Sequence, residues 1–229
     1  MADYKMEAAK ASLNFIKNGQ VIGLGAGSTI TNLVDLLSAD KELIWSLTFV
    51  SSSFKTRAYL IEKGLNVKLS GMVGKIDIYF DGCDQFDIQL NALKSGGGIH
   101  TSEKILASMA REFILIGDES KLTTKLDVTF PLVIELLAEA LPVVFNTIKL
   151  KYPDAVIQLR MSTQKDGAVI SENGNLLADI RFTELPELGE LNASIKMIPG
   201  VVDHSLFYQL ASKAIIAGEN GVRILTAIV

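Results

Sequence analysis

The side chains best suited to catalysis are concentrated between residues 81 and 103. Asp81, Asp84 and Asp87 are spaced three residues apart. This spacing can bring two carboxylates to one side of a turn, where close carboxylates titrate at different pH values, as acid–base catalysis requires. The alternative is a turn whose aspartates accept hydrogen bonds from backbone amides, which is their commoner use after a strand.

A lysine and three consecutive glycines follow the aspartates. Lys94 supplies a positive charge, and Gly96, Gly97 and Gly98 allow the backbone to approach a ligand closely. Three glycines in a row cost conformational entropy, so we favour a ligand-binding loop over a flexible surface loop. Glu103 lies in the first turn of the next predicted helix, where the favourable interaction with the helix dipole is the better explanation for an isolated glutamate.

A second glycine-rich segment, residues 25–29, also precedes a predicted helix. Backbone amides and the hydroxyls of Ser28 and Thr29 at a helix N-terminus suit an anion. The segment lacks the lysine of a P-loop, and Ile30 replaces the third glycine of a dinucleotide fingerprint. An anion site and a tight turn capped by Ser28 fit the segment equally well.

The same residues argue against a metal site and a thiol nucleophile. Calcium-loop spacing fails at Cys83 and Gln85, no zinc-type cluster is present, and the two histidines, His100 and His204, are far apart in sequence. A metal site that uses His100 is therefore the weaker alternative. Cys83 is the only cysteine and lies between two aspartates, which raise the pKa of a thiol and disfavour the nucleophilic thiolate.

Alternating strand and helix patterns surround these segments. The predicted helices cover residues 6–17, a segment from residue 30, 54–63, 102–111, 138–150 and 186–197; the predicted strands cover residues 20–25, 47–50, 67–69, 76–80, 113–117, 132–136, 155–160, 168–171, 176–182, 201–207, 213–217 and 222–228. The alternation up to residue 121 predicts a parallel sheet covered by helices. Polar loops at residues 25–29, 51–53, 81–87 and 118–121 all follow strands, so we expect them to meet at one sheet edge.

The pattern changes near Pro131. Strand, helix, strand, hairpin, helix and strand patterns follow, with an Asn-Gly turn signal at residues 172–175, and predict a small split β-α-β domain. We predict one domain from residues 1–130 plus 206–229 and a smaller α+β domain from residues 131–205.

Composition limits the class of partner. The 229 residues carry a formal net charge of −4, which argues against nucleic acid as the main partner. The N-terminal segment lacks an apolar signal core, and the most apolar window, residues 130–145, is too polar for a membrane span. We expect a soluble cytoplasmic protein that does not bind membranes.

Several motifs, in order over nearly the whole chain, resemble the A-type ribose-5-phosphate isomerase family. The family pattern Gly-x-Gly-Thr-Gly-Ser-Thr resembles residues 23–29, Asp-Gly-Ala-Asp-Glu resembles residues 81–85, and Lys-Gly-Gly-Gly with Arg-Glu-Lys resembles residues 94–98 and 102–104. Residues 118–121, 172–175 and 198–202 resemble its Asp-x-Ser-Lys, Asp/Glu-Asn-Gly-Asn and Ile-Pro-Gly-Val-Val patterns. The joint order and spacing of these motifs carry the resemblance.

The resemblance implies an α/β fold with a Rossmann-like parallel sheet domain and a smaller ferredoxin-like α+β domain, usually in a homodimer or homotetramer. It implies interconversion of ribose 5-phosphate and ribulose 5-phosphate, in the non-oxidative branch of the pentose phosphate pathway, without metal or organic cofactor. Glu103 is then the base between C1 and C2, while Asp81, Asp84 and Lys94 serve ring opening, hydroxyl proton transfer and the oxyanion. The implied substrate-binding residues are Ala26, Gly27, Ser28, Thr29, Gly82, Cys83, Ser95, Gly96, Gly97 and Lys121.

The chain departs from the family pattern at several positions within these motifs. Ala26 replaces a threonine, Gln85 a glutamate, Ser95 a glycine, His100 an apolar residue and Ser102 an arginine. Two other classes of function stay open on the sequence. One is a sugar-phosphate sensor without turnover, and the other is a coenzyme A transferase with a glutamate nucleophile.

Overall fold

The computed structural model describes residues 3–227. The helices are α1 (Tyr4–Ser12), α2 (Ser28–Ala39), α3 (Lys41–Ser46), α4 (Phe54–Glu62), α5 (His100–Met109), α6 (Leu141–Lys151) and α7 (Leu188–Lys196). The strands are β1 (Val21–Leu24), β2 (Thr48–Ser51), β3 (Ile76–Asp81), β4 (Gln85–Asp87), β5 (Ala92–Leu93), β6 (Ala110–Asp118), β7 (Leu122–Thr123), β8 (Leu132–Leu136), β9 (Val156–Leu159), β10 (Leu176–Arg181), β11 (Val201–His204), β12 (Leu206–Phe207), β13 (Lys213–Gly218) and β14 (Gly221–Thr226).

The largest sheet has six strands in the order β14-β13-β6-β3-β1-β2. Its strands are parallel except β14, which pairs antiparallel with β13. Side chains alternate between its faces: Ile114 and Ile116 pack into the core on the α2 face, while Phe113 and Leu115 pack into the core on the α5 face. Because both faces are buried, its inner strands are almost continuously apolar.

A second sheet has four antiparallel strands in the order β11-β8-β10-β9. In chain order it is built as β8-α6-β9-β10-α7-β11, and apolar side chains of both helices, such as Val144 and Leu191, pack in one core with the sheet. This is a ferredoxin-like arrangement, so the predicted fold class is confirmed. The domain boundaries at residues 131 and 205 stay a prediction.

A third, small sheet in the order β12-β5-β4-β7 contributes side chains to the cores of both larger sheets. The sequence did not predict it, because strands of two or three residues show no measurable alternation. The short helix α3 was also missed, although Asp40 caps it by accepting a hydrogen bond from the backbone amide of Leu43 at 3.0 Å. Within residues 3–227, no helix is long and apolar enough to cross a membrane.

Three predicted strands need correction. The segment 201–207 is two strands in different sheets, because the backbone amide and hydroxyl of Ser205 both bind Val133 and end β11 there. Segment 67–69 makes a single bridge, from Val67 to Phe49. Segment 168–171 likewise makes only isolated bridges. The last predicted strand, 222–228, ends at a residue outside the described part of the chain.

Candidate active site

Two carboxylates and one ammonium group form the most buried charged cluster at the carboxyl edge of the six-stranded sheet. Asp81 ends β3, Lys94 follows β5, and Glu103 lies in the first turn of α5. The Nζ atom of Lys94 lies 2.9 Å from Oδ2 of Asp81 and 3.3 Å from Oε1 of Glu103. It also donates a hydrogen bond to the carbonyl of Gly82. One cation thus joins two acids that the sequence separates by 22 positions (103 − 81).

Burial sets the protonation behaviour of this cluster. It raises the pKa of Glu103 to about 8; the carboxylate of Asp81 acts in the same direction, and Lys94 opposes them. Burial disfavours the charged form of Lys94, but the carboxylates of Asp81 and Glu103 outweigh it and raise the pKa of the ammonium. Lys94 therefore stays charged, while Glu103 can accept and release a proton near neutral pH.

Asp81 lies beneath the cavity rather than in its wall. Its Oδ1 accepts hydrogen bonds from the backbone amides of Gly82 at 2.8 Å and Ala26 at 3.2 Å, and its Oδ2 accepts one from the Tyr79 hydroxyl at 2.5 Å. A Cβ atom at Gly25 would lie 1.9 Å from Cγ of Asp81, so only glycine permits this approach. Asp81 thereby joins the glycine segment before α2 to the end of β3.

A cavity of about 280 Å³ opens above the cluster. Its wall comes from three segments at the ends of β1, β3 and β6, from the glycine loop after Lys94, and from helices α1 and α5. The lining residues are Lys5, Ala26, Gly27, Ser28, Thr29, Gly82, Cys83, Asp84, Lys94, Gly96, Gly97, Ile99, Glu103, Ile116, Gly117, Asp118 and Lys121. Of the catalytic and substrate-binding residues that the resemblance implies, only Asp81 and Ser95 are outside this wall. Asp87 is also outside it and accepts hydrogen bonds from the backbone amides of Gln89 and Asn91, the turn role that was the alternative for these aspartates.

One end of the cavity is suited to an anion. Helix α2 begins at Ser28 after Gly27, whose φ of +103° favours glycine, and Gly27, Ser28 and Thr29 line the cavity, so the positive end of the helix dipole adjoins it. Lys121, from the turn after β6, and Lys5, from α1, also line the cavity. The sequence analysis missed Lys5, because nothing in its local pattern distinguishes it from any exposed lysine at the start of a helix.

The glycine loop after Lys94 is held by Asp84. Oδ2 of Asp84 accepts hydrogen bonds from the backbone amides of Ser95 at 2.6 Å and Gly96 at 2.9 Å. The side chain of Ser95 is directed elsewhere, since its hydroxyl donates to the carbonyl of Pro131 at 2.6 Å. Gly97, with a φ of +68°, continues the loop along the cavity.

Cys83 and the two histidines do not add reactive groups to this cluster. Burial raises the pKa of the Cys83 thiol to about 12, in the direction that the flanking aspartates predicted. His100, the first residue of α5, and His204, the last residue of β11, lie near Lys104 and Asp203 and outside the cavity wall. In the described residues 3–227, no group of three or more His, Cys, Asp and Glu side chains is arranged to hold a metal ion.

Comparisons with known proteins agree with this arrangement. The sequence matches the family model of ribose 5-phosphate isomerase A (phosphoriboisomerase A) over residues 48–221. It is 37% identical over 217 residues to ribose-5-phosphate isomerase A of Thermosynechococcus vestitus, covering 94% of this chain and 91% of the relative. The structure resembles ribose 5-phosphate isomerase A of Methanocaldococcus jannaschii, with a TM-score of 0.90 and 32% identity over 98% of each chain. It also resembles a D-ribose-5-phosphate isomerase in complex with phospho-erythronic acid, with a TM-score of 0.91 and 32% identity over 98% of each chain.

Proposed function

This chain belongs to the ribose 5-phosphate isomerase A family, and on that premise we propose that it interconverts D-ribose 5-phosphate and D-ribulose 5-phosphate. The observation that carries the proposal is the Lys94 ammonium, held between the carboxylates of Asp81 and Glu103 at the floor of the cavity. Moving a proton between carbons beside a carbonyl requires one base and one group that stabilises the enediolate oxygen. This cluster contains both.

Glu103 is the proposed base. It lines the cavity, and its raised pKa of about 8 matches a carboxylate that takes a proton from one carbon and returns it to the next. A base whose pKa is near the working pH gives up its proton as readily as it accepts one. A glutamate with an ordinary pKa near 4.3 would be a much weaker base for a carbon acid.

Lys94 is the proposed electrophile. Its charge is fixed by Asp81 on one side and Glu103 on the other, so it needs little reorganisation when negative charge develops on the substrate oxygen. Asp81 is beneath the cavity wall, and we therefore assign it a role that acts through Lys94. Asp84 lines the cavity and is the proposed group for ring opening and for proton transfer between the substrate hydroxyls.

The phosphate of the sugar is proposed to bind at the α2 end. The first-turn amides with Ser28 and Thr29 supply hydrogen-bond donors, and Lys5 and Lys121 supply positive charge. Ala26, Gly82, Cys83, Gly96 and Gly97 complete the wall against the sugar. We propose that Ser95 contributes to substrate binding indirectly, by holding the loop from outside the cavity wall. We further propose that the protein needs no metal or organic cofactor. We also propose that it forms a homodimer or homotetramer, an oligomeric state that light scattering can measure.

The decisive experiment is detection of ribulose 5-phosphate formed from ribose 5-phosphate by purified protein in the presence of a chelator. We expect turnover in the wild type and a loss of about 10⁴-fold in kcat for Glu103→Gln, with phospho-erythronic acid still bound. Binding of that compound without any ketose formation by the wild type would identify a sensor instead. Acyl exchange between coenzyme A esters would identify a transferase, and near-normal turnover by Glu103→Gln would remove Glu103 from the role of base.

A further inference from the structure

Arg160 joins the four-stranded sheet to the glycine loop of the cavity. It follows β9, and its Nε and Nη2 atoms donate to Oδ1 of Asp179 on β10 at 2.9 and 2.5 Å. The same Nη2 donates to the carbonyl of Ser95 at 3.0 Å. The guanidinium is therefore fixed by a carboxylate on its own sheet and reaches a backbone atom 65 positions away in the sequence.

Ser95 is held on three sides. Its amide donates to Asp84, its carbonyl accepts from Arg160, and its hydroxyl donates to the carbonyl of Pro131, just before β8. Two of these contacts come from residues that directly flank strands of the four-stranded sheet, Pro131 before β8 and Arg160 after β9. A glycine, which the family pattern has at this position, would lack the hydroxyl contact.

Beyond Ser95, the loop is restrained by the hydrogen bond from the Gly96 amide to Asp84 and by one from the Gly98 amide to the Gly96 carbonyl at 2.7 Å. Gly96 and Gly97 are exposed, and Gly97 and Gly98 have φ values of +68° and +70°. Glycine has the largest conformational entropy to lose on ordering, so the positions of the Gly96 and Gly97 amides depend both on these bonds and on how firmly Ser95 is held. Lys94, immediately before Ser95, carries the ammonium group of the cluster.

We propose that Arg160 is a positioning residue, which together with the Ser95 hydroxyl braces the loop 94–97 against the four-stranded sheet and keeps Lys94 and the loop amides in place for catalysis. Arg160 is not in the cavity wall, so its effect on turnover passes through the loop. The effect on turnover rests on the function proposed above, whereas the restraint on the loop does not.

The test compares Arg160→Met and Ser95→Ala with the wild type. Alanine removes the hydroxyl without adding the backbone freedom that glycine would add. Lys213→Met is the matched control, because Lys213 forms a similarly half-buried ion pair with Glu112 at 2.6 Å on a strand edge outside the cavity wall. Hydrogen–deuterium exchange of the peptide containing residues 94–98 reports the loop directly, and steady-state kinetics report kcat and KM.

We expect faster deuterium uptake in this peptide for both loop variants and a loss in kcat of about tenfold for Arg160→Met, the factor that one hydrogen bond to a charged donor typically represents. Lys213→Met should match the wild type in both measurements. A lower Tm with unchanged loop uptake and kcat within twofold would overturn the brace and leave Arg160 a purely structural role.

The exchange measurement also separates this inference from the proposed function. If the wild type forms no ribulose 5-phosphate, the function fails, but loop uptake in the variants still decides whether the brace exists. If the wild type turns over and Arg160→Met is normal in uptake and kcat, the brace alone fails.

Discussion

The six-stranded sheet and the four-stranded sheet contribute to the cavity in opposite ways. Within the described chain, every lining residue falls between Lys5 and Lys121, and none belongs to the four-stranded sheet or its helices. Parallel strands send all their carboxyl ends to one edge, so the loops that follow them converge. Antiparallel strands alternate in direction, so their loops are divided between two edges. The second sheet instead touches the site from behind, through Arg160 and the segment that ends β11.

The largest effect should come from removing the Lys94 ammonium at the carboxyl edge of the six-stranded sheet. For Lys94→Met we expect kcat to fall by about 10³-fold or more, because the proposed donor to the oxyanion is lost and Glu103 loses the charge that opposes its protonation. Unfolding free energy should fall by about 3–5 kcal/mol, since two buried carboxylates lose their partner. Kinetics and urea denaturation measure the two effects.

The matched control is Lys213→Met, whose partly exposed pair should contribute about 0–1 kcal/mol. Equal losses of stability in the two variants would contradict the view that burial makes the Lys94 cluster special.

A core substitution beside the four-stranded sheet should lower stability and leave kcat nearly unchanged. Leu191 is fully buried on α7, and Leu191→Ala should lower the unfolding free energy by about 2–5 kcal/mol because it leaves a cavity. The kcat of the folded protein should stay within about threefold of the wild type. Denaturation curves and kinetics, recorded at a temperature where the variant is folded, measure the two effects. A large loss of kcat at unchanged stability would contradict the view that the core of the four-stranded sheet contributes to stability and not directly to turnover.

The smallest predicted effect is the pH dependence of stability that is due to His100, which lies on α5 close to Asp203 of the four-stranded sheet. Burial and the charge of Lys104 lower the pKa of His100 to about 4, against weaker opposing effects of the Asp203 carbonyl and the Glu135 and Asp203 carboxylates. The unfolded chain therefore binds the proton first, and the contribution of neutral His100 is present above pH 6.5 and lost as pH falls towards 4.

Replacing His100 by leucine should make stability less sensitive to acid by roughly 1–3 kcal/mol between pH 6.5 and 4. Leucine is the kind of apolar residue that the family pattern has at this position. Denaturation at a series of pH values measures the difference. Parallel curves of stability against pH for the two proteins would show that His100 is not the group responsible. His204, with a pKa lowered to about 3, is present in both proteins, so it does not account for a difference between them.

The sequence was most informative where local chemistry is unusual. Glycine at position 25 before a helix and Asp81 at a strand end predicted the place of the cavity, because the carboxyl ends of parallel strands meet at one sheet edge. Local pattern carried no signal for Lys5, since its place in the wall depends on how α1 packs. The division of segment 201–207 was equally hidden, because it results from hydrogen bonds between Ser205 and a residue of β8.

Helix α1 has a consequence for the order in which the protein is made. It packs against β6 and β13, and β13 is near the opposite end of the chain from Lys5. During translation, α1 leaves the ribosome well before β13, so its full packing surface does not exist until residues 213–218 have been made. Contacts between distant segments also form slowly. We therefore expect the α2 end of the cavity to form only after residues 213–218 have been made, so that a nascent chain without β13 has no finished site.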